Sequence, residues 1–142
     1  MQMRLTTESG VPISSSDRTA QSVIYLTPFV GDAISLYTGL GDEWETVNSS
    51  EVSLALSSLT SDKVYDVFAY RSGLGVALEL SQAWTNSTTR ADAVSYQNGR
   101  LVKTSDRTRL LVGTIYTTST SATEDSLKNR LVFNRYNRRY IQ

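Results

Sequence analysis

Apolar and polar residues alternate along most of this chain in short runs that turn residues separate. A period of two places alternate side chains on opposite faces of a strand. The runs are rich in β-branched and aromatic residues, which strands favour. The pattern predicts strands over residues 22–27, 33–38, 44–47, 52–56, 63–70, 76–80, 93–97, 100–103 and 110–117.

The run at residues 63–70 is apolar at alternate positions on both of its faces, so we expect a central strand. A strand with apolar side chains on both faces must be covered on both. The two faces are predicted to carry Tyr65, Val67 and Ala69 on one side and Asp66, Phe68 and Tyr70 on the other.

Three local signals predict how particular strands begin, turn or bend. Asn98-Gly99 lies between two strand runs, and both residues tolerate the positive φ of a type I′ hairpin turn. Gly113 interrupts a long strand run and predicts a bulge. Leu59 precedes Tyr65 by six residues, a spacing that resembles the tyrosine corner of sandwich domains. The alternative is an ordinary aromatic residue alternating in a strand.

Many short strands at roughly 8–12-residue spacing predict an all-β fold, an antiparallel β-sandwich that is jelly-roll-like or immunoglobulin-like. No linker divides the chain, so residues 1–142 are expected to form a single β domain. Two interpretations remain open after Glu124. Residues 123–126 are suited to cap a short helix through Leu131, while residues 131–136 fit a strand equally well. The C-terminal arm is therefore expected to be extended or a short helix.

The chain contains no histidine and no cysteine. It therefore lacks the usual proton shuttle, the imidazole and thiolate metal ligands, and the thiol nucleophile. No motif brings serine and lysine together as a catalytic pair. We expect a protein that is not an enzyme, with no catalytic residues, no cofactor and no metal.

Aromatic residues near carboxylates raise one further possibility, which is sugar binding. Trp44 lies among Asp42, Glu43 and Glu45, and a glycosidase needs only two carboxylates. The simpler interpretation is a solvated turn before a tryptophan that enters the core, and we favour it. If the protein binds glycans, the candidate contacts are Tyr37, Trp44 and Trp84.

Charge is balanced overall, with 14 Lys and Arg against 14 Asp and Glu. A chain with balanced charge has no overall positive electrostatic field that would attract a nucleic acid or an anionic membrane, so direct binding to either is not expected. No apolar run approaches the roughly 20 residues that span a bilayer. The N-terminus lacks the apolar stretch of a signal peptide, which predicts synthesis in the cytoplasm. The last residues are basic, and they form either a solvated tail or an arm that docks on an acidic neighbour.

Short blocks spread in order over nearly the whole chain carry a family resemblance. They are SGVPI at residues 9–13, DRTAQ at 17–21, IYLTPFVG at 24–31, YDVFAY at 65–70, AWTN at 83–86, TRA at 89–91, NGRLVK at 98–103 and TEDS at 123–126. Together they resemble a small family of tailed-bacteriophage virion structural proteins. No catalytic residues belong to that pattern. The resemblance implies a structural or adhesive role on the particle.

We therefore expect a bacteriophage virion structural protein, synthesised in the host cytoplasm and located in the virion. Its leading role would be capsid decoration or cementing, with self-association, a trimer favoured, and contact with virion proteins such as the major capsid protein. The alternative is a tail-fibre or host-adhesion module that binds cell-surface glycan. Residues 1–20 and 124–142 are the expected interface arms. The candidate interface residues are Arg4, Arg18, Arg130, Arg135, Tyr136, Arg138, Arg139 and Tyr140.

Overall fold

A computed structural model describes residues 2–134 of the chain. Every regular element in this range is a β-strand, and in it no helix is long and apolar enough to cross a membrane. The strands are β1 (Met3–Thr6), β2 (Arg18–Gln21), β3 (Val23–Pro28), β4 (Ala33–Tyr37), β5 (Trp44–Asn48), β6 (Val52–Ala55), β7 (Val64–Ser72), β8 (Gly75–Leu80), β9 (Val94–Gln97), β10 (Arg100–Lys103), β11 (Asp106–Ser119), β12 (Ala122–Asp125) and β13 (Val132–Asn134).

The all-β prediction is confirmed, and so are the nine predicted strand runs, which are strands β3 to β11. The helical alternative for the C-terminal arm is not supported. The backbone N–H of Ser126 donates to the carbonyl of Asn129 at 3.0 Å, closing a turn, and Asp125 bridges to Arg130 before β13 begins. Chain reversal so soon after β12 leaves no room for a helix at residues 126–131. Residues 135–142 of the predicted arm lie outside the described residues.

The strands form three antiparallel sheets. One sheet has the order β1-β3-β6, and a second is the β4–β5 hairpin. The largest sheet is organised around β11, whose 14 residues pair with β7, β10, β12 and β13 along different parts of its length. Strand β11 therefore links four other strands into one sheet.

Strand β7 lies in the middle of the largest sheet, between β8 and β11, as predicted. Tyr65, Val67 and Ala69 belong to the main apolar core. On the opposite face, Asp66 and Phe68 are both fully buried. Burial on both faces explains why the run is apolar at most positions, and it leaves Asp66 as a charged group in need of internal partners.

The core draws apolar side chains from all three sheets. Met3, Leu5, Ile24 and Leu26 come from the β1-β3-β6 sheet, and Ile34 comes from the β4–β5 hairpin. They pack against residues of the largest sheet, among them Val67, Val102, Val112 and Ile115. Burial of this shared core is what holds the three sheets together.

The predicted turn features are present. Asn98 and Gly99 have φ of 53° and 82°, and Gln97 pairs with Arg100, which confirms the type I′ hairpin turn. The backbone N–H of Thr60 donates to the hydroxyl of Tyr65 at 2.9 Å, so the corner interaction forms.

The predicted bulge at Gly113 is also present, as a shift of register between Leu111 and Gly113. A Cβ atom at this position would lie 2.6 Å from the carbonyl oxygen of Phe133 and 2.8 Å from Leu5 Cδ2. The missing side chain therefore allows β13 and β1 to approach β11 closely. Close approach, rather than an unusual φ, is the reason for glycine here.

Candidate functional site

A groove of about 550 Å³ lies between β1, the segment that follows it, and the C-terminal strands. We call it the Arg4–Arg130 groove. It contains two of the predicted interface residues, which are 126 positions apart in sequence. Its lining is Arg4, Leu5, Thr6, Pro12, Ile13, Ser14, Asp125, Arg130, Val132, Phe133 and Asn134.

Asn134 of β13 forms two hydrogen bonds with Leu5 of β1 across the groove. Its side-chain amide donates to the carbonyl of Leu5 at 2.8 Å, and its Oδ1 accepts from the backbone N–H of Leu5 at 2.5 Å. The side chain imitates a strand partner for β1, while the backbone of β13 pairs with β11 opposite Gly113. Because Asn134 is 5% exposed, these bonds form away from solvent and strongly favour this geometry.

The two arginines have different surroundings. Arg4 is buried in β1, where Nε donates to the carbonyl of Pro12 at 3.1 Å and the guanidinium lies 5.4 Å from the centre of the Phe29 ring. Arg130 forms an ion pair with Asp125 at 3.1 Å, with 49% of its side chain exposed. Arg4 therefore contributes charge from within the fold, and Arg130 presents its charge to solvent.

Exposed apolar side chains also line the Arg4–Arg130 groove. Ile13 is 57% exposed and Phe133 is 49% exposed. Neither residue is among the interface residues predicted from the sequence. Phe133 lies in a strand whose alternation directs Asn134 inward, so period-two reasoning would have placed Phe133 on the outside. No sequence signal connects Phe133 with Ile13, because their proximity depends on the three-dimensional fold.

Of the other predicted interface residues, Arg18 is the one that the structure describes, and it does not line the groove. Arg18 lies in β2, where Nη2 donates to Gln21 Oε1 at 2.9 Å. In the predicted N-terminal arm, residues 3–6 form a buried strand of the core, so this part is integral to the domain. Five candidates lie outside the described residues: Arg135, Tyr136, Arg138, Arg139 and Tyr140.

A carboxylate fixes the loop that leads to the groove. Glu51 accepts hydrogen bonds from the Ser9 hydroxyl at 2.6 Å, the Gly10 N–H at 2.6 Å and the Thr27 hydroxyl at 2.7 Å. Burial by itself raises the pKa of the Glu51 carboxyl. The three hydrogen bonds together lower the pKa by more than burial raises it, so the pKa lies below its usual value. The ionised carboxylate therefore helps to position the segment that carries Pro12 and Ile13.

Trp84, a candidate glycan contact, belongs to a cluster built on the carboxylate of Asp66. The indole N–H donates to Asp66 Oδ2 at 3.0 Å, and Arg90 Nε donates to the same oxygen at 2.8 Å. The Thr114 hydroxyl donates to Oδ1 at 2.9 Å. The Arg90 guanidinium lies 4.9 Å from the centre of the Trp84 ring. This Trp84 cluster joins the segment after β8 to the first part of β7.

The other two glycan candidates, Tyr37 and Trp44, lie together. Their ring centres are 5.5 Å apart with the planes inclined by 55°. The indole N–H of Trp44 donates to Asn98 Oδ1 at 2.9 Å, and the Arg100 guanidinium lies 5.2 Å from the ring centre. We call Trp44, Asn98 and Arg100 the Trp44 cluster. It joins the β4–β5 hairpin to the β9–β10 hairpin.

The carboxylates around Trp44 have separate structural partners. Asp42 accepts from the side-chain amide of Asn98 at 3.1 Å, and Glu45 forms an ion pair with Arg71 at 3.0 Å. Among residues 2–134, no three acidic side chains are grouped in a way that would hold a metal ion. Asp42 is therefore held by the β9–β10 turn and Glu45 by the end of β7.

Comparisons of this chain with protein-family models, curated proteins and solved structures find no match. The resemblance to virion proteins therefore rests on the sequence blocks given above.

Proposed function

We propose that this protein is a bacteriophage virion structural protein whose leading role is capsid decoration or cementing. In this proposal it self-associates, as a trimer, and contacts virion proteins such as the major capsid protein. It is made in the host cytoplasm and located in the virion. The observation that carries the proposal is the Arg4–Arg130 groove, together with the family resemblance of the sequence blocks.

The chemistry of the groove supports a protein interface. Arginine and aromatic residues are enriched where interfaces carry binding energy. Arg130 and Phe133 supply both types at the surface, and Ile13 adds an exposed aliphatic side chain beside them. Residues 135–140, which contain three more arginines and two tyrosines, follow Asn134 directly in sequence. One surface and the adjoining segment thus concentrate the residue types that bind proteins.

We further propose that the three sheets constitute an antiparallel β-sandwich of the jelly-roll or immunoglobulin type. In this description the β11 sheet packs against the β1-β3-β6 sheet and the β4–β5 hairpin. The shared apolar core supports it, because sandwich cores are built from the inner faces of opposed sheets. The bond between Tyr65 and Thr60 adds the corner interaction found in such domains.

The test of the proposed function is the composition of purified virions and the rebinding of the protein to particles. We expect many copies per particle, as decoration requires, and rebinding of purified protein to particles stripped of it. Arg130→Ser is expected to weaken rebinding. Lys128→Ser is the matched control, since it removes an exposed cation two residues away that does not line the groove. Absence of the protein from virions, or equal rebinding by both variants, would contradict the proposal.

A second candidate function, glycan adhesion from a tail fibre, is favoured by the proximity of Tyr37 and Trp44. It is supported less well, because Arg100 already lies over the Trp44 ring and Asn98 accepts its indole N–H. Trp84 is likewise engaged by Arg90 and Asp66. Binding on a glycan array that is lost in Trp44→Ala, together with a handful of copies per particle, would favour this candidate.

A further inference from the structure

A smaller cavity, of about 160 Å³, lies where the loop before β7 and the segment after β8 meet β11. We call it the Trp84–Tyr116 cavity. Its volume is well below the roughly 300–1,000 Å³ of sites for drug-sized ligands, so it is suited to one small ring. The side chains that give the cavity its chemistry are Asp62, Lys63, Trp84, Asn86, Ser87 and Tyr116.

Hydrogen bonds within the fold fix the loop that carries Asp62 and Lys63. The hydroxyl of Thr117, a fully buried residue, donates to the carbonyl of Thr60 at 2.6 Å and accepts from the backbone N–H of Lys63 at 3.1 Å. The backbone N–H of Asp62 donates to the carbonyl of Thr117 at 3.0 Å. This wall of the cavity is therefore held in shape without a ligand.

The opposite wall, formed by the segment after β8, is fixed in the same way. The backbone N–H of Trp84 donates to the carbonyl of Val64 at 2.9 Å, and its indole N–H donates to buried Asp66. Oδ1 of Asn86 accepts from both the N–H and the hydroxyl of Thr88 at 2.9 Å. Because these bonds engage the indole N–H, Trp84 contributes its ring surface to the cavity. A preorganised site loses little conformational entropy when it binds a ligand.

Several polar groups of the cavity residues take no part in these bonds. Within residues 2–134, the Lys63 ammonium, the Ser87 hydroxyl and the side-chain N–H groups of Asn86 have no hydrogen-bond partner. The Asp62 carboxylate accepts one hydrogen bond, from the Tyr116 hydroxyl at 3.4 Å. Donors and an anionic acceptor are therefore available beside two partly exposed aromatic rings.

We propose that the Trp84–Tyr116 cavity binds one monosaccharide unit. Each sugar hydroxyl both donates and accepts hydrogen bonds, which matches the combination of several donors with the Asp62 acceptor. The weakly positive C–H groups of a sugar ring pack on the negative face of an aromatic ring, and Trp84 and Tyr116 supply such rings. Aromatic walls with a few placed polar groups are typical of small-molecule sites.

The inference goes beyond the capsid role and does not depend on it, since one folded copy carries the whole cavity. The site also differs from the glycan candidate at Tyr37 and Trp44, which belong to the β4–β5 hairpin. Virion composition and rebinding test the capsid role, whereas sugar binding by the purified chain tests the cavity. The two proposals therefore fail separately.

The test is saturation-transfer NMR of the purified full chain with free glucose, galactose, mannose, N-acetylglucosamine and glucuronic acid. We expect transfer to at least one of these sugars with a Kd on the order of 1 mM, because so small a ligand makes few contacts. Ser87→Tyr fills the cavity and is expected to abolish transfer. Ser105→Tyr is the matched control, since Ser105 is an exposed residue between β10 and β11 that does not line the cavity.

Two further variants test the polar and the aromatic contacts separately. Asn86→Asp keeps the acceptor that Thr88 uses but removes the amide donor, and it is expected to weaken sugar binding roughly tenfold or more. Tyr116→Leu removes an aromatic ring from the cavity and is expected to weaken binding similarly. Tyr96→Leu is its control, because Tyr96 is 63% exposed on β9, outside the cavity. Circular dichroism melts of all variants separate loss of binding from loss of fold.

The outcomes decide the inference in either direction. Loss of transfer in folded Ser87→Tyr, with transfer retained in both controls, supports it. Absence of transfer from the wild-type chain to all of these sugars overturns it, and so does equal transfer by the wild type and Ser87→Tyr. Binding that is lost in Trp44→Ala but retained in Ser87→Tyr would place the sugar at the β4–β5 hairpin and also overturn it.

Discussion

The two tryptophan clusters have the same construction but different surroundings. In each, the indole N–H donates to a side-chain oxygen and an arginine lies over the ring. In the Trp84 cluster the acceptor is the fully buried carboxylate of Asp66, while in the Trp44 cluster it is the amide of Asn98 on an exposed turn. A buried charge without partners is far more costly than an exposed neutral group.

The comparison shows why similar contacts differ in importance. Asp66 interrupts the apolar pattern of β7, and its two oxygens accept from Trp84, Arg90 and Thr114. Removing any of these partners leaves the buried Asp66 carboxylate with one hydrogen bond fewer in a low-dielectric environment. Asn98 has water as an alternative partner. Both clusters join loops to the sheets, but the Trp84 cluster is expected to dominate the stability of the domain.

The largest effect is expected for Arg90→Ala, which removes the cationic partner of Asp66. Breaking a buried ion pair on one side costs about 3 kcal/mol or more. The measurement is the free energy of unfolding in urea. Arg100→Ala, the corresponding change in the Trp44 cluster, is the control and is expected to cost less than about 1 kcal/mol. Equal losses for the two variants would refute the distinction between the clusters.

A smaller effect is expected when the indole N–H is removed from each cluster. Trp84→Phe and Trp44→Phe delete similar ring area, so the difference between them reports on the hydrogen bond. We expect Trp84→Phe to cost about 1–2 kcal/mol more in urea denaturation, since its acceptor is a buried carboxylate. A larger loss for Trp44→Phe would reverse the ranking.

The turn that carries Asn98 provides the next test. Gly99→Val forces a β-branched residue into the positive φ observed at that position, at a cost of about 1 kcal/mol or more. Gly99→Asn is the milder variant, because asparagine tolerates this conformation. Unchanged denaturation midpoints for both variants would show that this turn contributes little to the stability of the Trp44 cluster.

Glu51 provides the smallest test, because the carboxylate accepts from two hydroxyl groups and one backbone N–H. Its folded pKa is lowered, so its contribution to stability is present above the unfolded pKa of about 4.5 and is lost as pH falls through the folded value. Glu51→Gln is expected to reduce the pH dependence of the melting temperature in this acid range. An unchanged acid profile would show that the three hydrogen bonds do not favour the ionised form.

Period-two alternation predicted the strands from β3 to β11, because most of them have one face in the core and one outside it. Strand β1 was missed, since all four of its residues are buried and one of them is Arg4. Strands β2 and β12 are short and polar, and their pairing depends on neighbours distant in sequence. The local sequence pattern of a strand does not indicate which distant strand it pairs with.

The candidate site was only partly predictable for the same reason. Arginine enrichment selected Arg4 and Arg130, and the structure brings them into one groove. The role of Asn134 was not foreseen, because its partner Leu5 is 129 residues away. Asp66 was expected on one face of a central strand, but its partners Trp84, Arg90 and Thr114 come from two other segments.

The proposed assembly surface comprises the groove and the residues that follow Asn134, and we expect the rest of the chain to fold without those residues. The most direct test is a chain truncated after Asn134, which keeps the bonds between Asn134 and Leu5. Unfolding midpoint, light scattering and particle binding are measured together. We predict an unchanged midpoint with loss of self-association and of particle binding. A truncated chain that still assembles and still coats particles, or one that does not fold, would contradict the account.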